Sequence, residues 1–132
     1  MRIRHSAIVF AVAGLLLLAG CASAASNYPK ASALLSTLQR MSSDTDYKLS
    51  VDTFQGMLSK LTSAYEGFYY SDEYSKVPEF AAAAKAVGAA YVEEYKVRYA
   101  ASEPLDTDKL TALVDTEKQK TKEAGDLLNQ GK

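Results

Sequence analysis

Apolar residues recur along this chain at helical spacing, in stretches parted by short polar segments. The clearest stretch runs through Tyr47, Val51, Phe54, Leu58, Leu61, Tyr65 and Phe68, whose separations alternate between four and three residues. That alternation keeps one stripe facing a neighbouring helix. It predicts a helix from about Asp44 to Tyr70, roughly 40 Å long at about 1.5 Å per residue. Ser43 and Asp46 have capping-box spacing at its start, with Asp where Glu is usual. Gly56 and Gly67 weaken it by up to about 1 kcal/mol each relative to Ala.

Three further stretches carry the same signal. A first helix opens around Pro29, where a missing N–H costs nothing, and places Ala31, Leu34, Leu35, Leu38 and Met41 on one face before Ser42-Ser43-Asp44 ends it. It is short, about 20 Å. The third begins near Val77-Pro78-Glu79 and carries Phe80, Ala84, Val87, Tyr91 and Tyr95 in its stripe, with Glu94 and Arg98 as an i,i+4 pair. Ala81 to Ala84 and Gly88-Ala89-Ala90 make it thin, and it stops before Pro104. The fourth runs from about Thr107 to Asn129, but Asp115 to Glu123 contains no apolar residue, so its middle is expected to be held loosely or to face water. Short turns between such helices favour an all-α, up-down antiparallel bundle of four helices, the first one short. A period-seven stripe also permits an intermolecular coiled coil, hence a homo-oligomer.

The start of the chain has a different pattern. Arg2, Arg4 and His5 form a basic head, Ala7 to Ala19 an apolar run, and Gly20 precedes Cys21. This is the anatomy of a secretory signal, too short for the about 20 residues of a spanning helix. Leu18-Ala19-Gly20-Cys21 resembles the lipobox of bacterial lipoproteins. The resemblance implies cleavage between Gly20 and Cys21 and acylation of Cys21 with a diacylglyceryl group and an amide-linked third chain of the palmitate type. It divides the sequence into a signal peptide at 1–20, a lipidated flexible tether at 21–28 and a helical domain at 29–132. In Gram-negative lipoproteins an Asp after the Cys resembles an inner-membrane retention signal. Ala22 and Ser23 stand there instead, which implies an outer-membrane protein facing the periplasm. In a Gram-positive source it would sit on the cell membrane.

Composition narrows the functions that remain. Of 15 basic side chains, Arg2 and Arg4 leave with the signal, so 13 face 16 acidic ones, a net charge of about −3. That mild acidity, without basic clusters, argues against nucleic acid as a partner. Cys21 is the single cysteine, so no disulfide forms within the chain, and the mature part has no histidine. The commonest general base is therefore missing, and no Cys-x-x-Cys pair, His-Glu-x-x-His, phosphate-binding glycine loop or Gly-x-Ser-x-Gly elbow occurs. Adjacent Glu93 and Glu94 do not face each other on a helix and read as a solvated face. Neither an enzyme nor a metal or cofactor is expected.

Tyrosine is the informative surplus, with nine residues. Tyr65 and Tyr69 lie one turn apart, and Tyr91, Tyr95 and Tyr99 form a ladder at i, i+4 and i+8. Packing alone accounts for such ladders, yet tyrosine is also enriched where proteins bind one another. The first helix covers only about half of the second, leaving an aromatic-walled groove near Tyr65, Tyr69, Phe80, Tyr91 and Tyr95 suited to an amphipathic segment of another envelope protein. The expected function is a membrane-tethered adaptor or accessory protein, similar to the small helical lipoproteins, the pilotins, that escort secretion pores. An exclusion or immunity lipoprotein acting against an incoming element or toxin is the alternative. A structural envelope lipoprotein is a third, prompted by the terminal Lys132, which the murein lipoprotein family also has.

Overall fold

Pro29 and Pro78 each open a helix, because a fixed φ and an absent donor suit the first turn. In the computed structural model, which describes residues 24–100 and 103–132, all regular elements are helical. They are α1 (Pro29–Ser43), a 3₁₀ turn (Asp46–Leu49), α2 (Val51–Tyr69), α3 (Pro78–Tyr95), a π-helical turn (Lys96–Ala100) and α4 (Thr107–Asn129). The four helices form an up-down antiparallel bundle. Its core is built from the expected stripes, with Leu34, Leu38, Met41, Phe54, Phe68, Phe80, Val87 and Leu128 buried. Removing a Phe side chain from water contributes about 2–3 kcal/mol, so Phe54, Phe68 and Phe80 are large single terms.

The second helix departs from its predicted start. It begins at Val51, capped by the Ser50 hydroxyl, which accepts from Thr53 N at 3.2 Å. The expected pair does not cap: the Ser43 hydroxyl donates to Arg40 O, and Asp46 N donates to Asp44 Oδ1. Tyr47 and Lys48 instead turn inward on the 3₁₀ element, with the Tyr47 hydroxyl donating to Met41 O at 3.1 Å and Thr53 Oγ1 donating to Tyr47 O at 2.6 Å. At 19 residues α2 is about 28 Å long, and the 15-residue α1 reaches along most of it. The length mismatch between them is therefore much smaller than expected.

Two sets of hydrogen bonds hold one end of the bundle together. No side chain at Tyr28 caps α1. Glu73, from the turn between α2 and α3, does so from across the fold, its Oε1 accepting from Lys30 N at 3.0 Å and Ala31 N at 3.1 Å. This satisfies donors that a helix start leaves open. At the same end, Phe80 N in the first turn of α3 donates to the main-chain oxygen of Lys132 at 2.8 Å. Part of the segment expected to be a flexible tether is folded. Residues 24–26 are helical, the Ser32 hydroxyl donates to Ala25 O at 2.7 Å, and Ala25 and Tyr28 pack on the core. The expected signal segment, with the expected cleavage at Gly20 and acylation at Cys21, lies outside the described residues.

Candidate functional site

α3 lies closest to α4, and α1 fills the space between α2 and α4, whereas α2 and α3 meet along a more open seam. Small residues on α3 create the opening. Leu58, Leu61, Thr62 and Tyr65 of α2 face Ala84, Lys85, Gly88 and Val92 of α3 across a groove of about 200 Å³. A Cβ at Gly88 would meet only Leu61 Cδ2, at 3.9 Å. The groove thus comes from missing side-chain volume on α3, and not from a short α1.

The tyrosines expected to line it divide by burial. Tyr65 is half-buried in the groove and its ring stacks on Tyr69 with centroids 6.1 Å apart. Burial, then Tyr74 and Tyr69 beside it, raise the Tyr65 hydroxyl above its ordinary value. Tyr69 extends the aromatic surface toward the turn, touching Tyr70 at 5.0 Å and Tyr74 at 4.8 Å. Phe80 and Tyr91 cannot be contact residues, because both are wholly buried. Phe80 supports the cluster from beneath through Phe68, 5.4 Å away. Tyr95 sits on the far side of the seam, packed edge-on to Phe54 at 5.5 Å with its hydroxyl accepting from Gln55 Nε2 at 2.7 Å. Tyr99 donates to Lys48 O, so the three rungs of the ladder have three separate fates.

The structure also contains a buried ionic cluster that the sequence pattern does not reveal. Lys48 Nζ lies 2.8 Å from Glu94 Oε1 and 3.2 Å from Glu117 Oε1, while Glu94 Oε2 accepts from Arg98 Nε at 2.7 Å. Lys48, Glu94 and Glu117 are 6%, 0% and 1% exposed. The reading of Glu94 as a solvated side chain, and of the middle of α4 as loosely held, is thereby corrected. Glu117 and Thr121 continue the buried face of α4 between Leu110 and Ala124. Glu93, by contrast, is half-exposed and pairs with Lys109 at 3.0 Å.

Burial polarises this cluster. It pushes Glu117 up to about 8, helped by Glu94 beside it and opposed by Lys48. At Glu94 burial acts the same way but is outweighed by bonds from Glu117, Lys48 and Arg98, so its carboxyl is held below the usual range. Burial and the two carboxylates raise the hydroxyls of Tyr47 and Tyr91 above their ordinary values. Among the described residues, Glu117 Oε2, Tyr91 Oη and Thr121 Oγ1 find no hydrogen-bond partner. Two carboxyls driven apart in acidity are a pattern of acid–base sites; here both are closed from solvent and, through Lys48, join the 3₁₀ turn, α3 and α4.

The position of Glu117 could have been found by extending the spacing from Leu110 by seven, and onward by four, three and four to Leu128. For Lys48, on a turn with no period of its own, no signal existed. Among the described residues no group of three or more His, Cys, Asp or Glu could hold a metal ion, and no helix is long and apolar enough to cross a membrane. No protein-family model, curated protein or solved structure matches the chain.

Proposed function

We propose that this chain is a lipid-anchored envelope protein whose groove between α2 and α3 receives an apolar segment of a membrane-associated partner. The anchor rests on Leu18-Ala19-Gly20-Cys21 with the basic head and apolar run before it. The groove is the observation that carries the binding role. Leu58, Leu61, Tyr65, Gly88 and Val92 leave an apolar trough between helices, the shape that an amphipathic helix fills with its anchor side chains. Val92, 43% exposed at the rim, is the kind of residue that such a partner would cover. The adaptor role needs no catalysis, in keeping with a mature chain without histidine.

A photo-reactive amino acid at Val92, introduced in cells, tests the reading. It is expected to cross-link one envelope protein, while the same probe at Lys118, on the exposed side of α4, does not. Equal capture at both positions, or none at Val92, would refute the groove as the binding site.

A further inference from the structure

We propose that the end of the bundle bearing Tyr69, Tyr70 and Tyr74 rests in the headgroup region of the bilayer that holds the Cys21 anchor; this deepens the anchored reading above and depends on it. The argument begins where the chain comes in. Residue 24 is already part of the fold, since Ala25 O accepts from both Tyr28 N and the Ser32 hydroxyl. Cys21 is three residues earlier, and a fully extended chain spans at most about 11 Å over that distance. An acyl group on Cys21 therefore brings the start of α1 close to the membrane.

What lies at the start of α1 is fixed by Glu73. Its bonds to Lys30 N and Ala31 N put the turn between α2 and α3 at the same end. That turn and the last residues of α2 display the aromatic cluster. Tyr70 is 82% exposed, Tyr69 45% and Tyr74 36%, and the Tyr69 ring touches both others while Tyr74 packs on the buried Phe68. The exposed charges of the turn cancel, with Lys76 Nζ 3.4 Å from Asp72 Oδ2 and both side chains in water. A patch of amphipathic rings matches the interfacial layer, where tyrosine places its ring among apolar groups and its hydroxyl among polar ones. The opposite end, about 28 Å away along α2, exposes Leu49 and Leu105, while its rings, Tyr47, Phe54, Tyr95 and Tyr99, pack together buried or half-buried.

The chain has no tryptophan, so one can be introduced as a lone reporter. The Tyr70→Trp and Leu49→Trp variants would be purified from their native membranes, weighed by mass spectrometry and reconstituted in phosphatidylethanolamine–phosphatidylglycerol vesicles containing lipid brominated near the headgroup. The Tyr70→Trp reporter is expected to be quenched several-fold more than the Leu49→Trp reporter, and to emit further to the blue than in detergent. If acylated protein shows equal quenching at the two positions, or none, the end is not seated on lipid and the inference fails while the anchor stands. A blue-shifted Tyr70→Trp reporter without bromine quenching would mean that protein covers the cluster, and would overturn the inference in the same way. Protein recovered without acyl mass would overturn the anchor and this inference together.

Discussion

The Lys48 ammonium lies 2.8 Å from Glu94 Oε1, linking a single 3₁₀ turn to the last turn of α3 inside the bundle. Truncating one member of such a pair leaves a buried charge uncompensated, at a cost of about 3–5 kcal/mol. Lys48→Met should lower stability by that amount in urea unfolding followed by circular dichroism. Adding Glu94→Leu and Glu117→Leu should restore most of the loss, since apolar side chains of similar volume replace buried ion pairs with little penalty.

Stability should also depend on pH through Glu117. Its folded value of about 8 lies above the about 4.3 of an unfolded Glu. Its contribution is therefore complete below the unfolded value and is lost as pH rises toward the folded one, with a slope of up to about 1.4 kcal/mol per unit. Glu94 acts in the opposite sense, its contribution holding above the unfolded value and disappearing in acid. Thermal unfolding between mildly acidic and mildly alkaline buffer should show a falling midpoint in the native protein. In Glu117→Gln that fall should flatten.

Glu73 supplies the cap that α1 lacks in its own sequence. Glu73→Ala should destabilise the fold by about 1–2 kcal/mol, the range for a lost N-terminal cap, and should speed amide exchange at Lys30 and Ala31. Exchange measured by NMR would separate this local effect from general loosening.

Glycine substitutions distinguish helix stability from groove volume. Gly67→Ala on α2 places its methyl in open space, and Gly88→Ala on α3 points one into the groove. Each should stabilise the bundle by about 0.5–1 kcal/mol through helix propensity. Only Gly88→Ala should weaken cross-linking from Val92.

Replacement of Cys21 by Ser should move the protein from the membrane to the soluble fraction, with the helical circular dichroism signal unchanged. Fractionation with mass analysis checks it directly.

The helices were legible because Leu34, Leu38, Phe54, Leu61, Phe80 and Val87 follow the helical period and are buried as that period requires. Of the five residues expected to line a groove, only Tyr65 lines the one between α2 and α3, which opens because α3 lacks bulk and not because α1 lacks length. What could not be read was the polar interior. Glu94 and Glu117 sit at core positions of their helices, but charged residues resemble a solvated face until their partner is known. That partner, Lys48, comes from a non-periodic turn, so only the assembled fold brings the three together. The cap from Glu73 is equally remote, joining residues more than 40 positions apart.

Four amphipathic helices can be wound about a common axis in two senses, left-turning or right-turning, and both bury the same apolar stripes. The 3₁₀ turn at Asp46–Leu49 breaks that degeneracy. It directs Lys48 to the seam where α3 and α4 present Glu94 and Glu117. The reverse winding would separate Lys48 from both Glu94 and Glu117 and leave the buried Glu117 carboxyl without its cation. A turn of four residues, which adds only Tyr47 to the hydrophobic core, thus discriminates against the mirror topology.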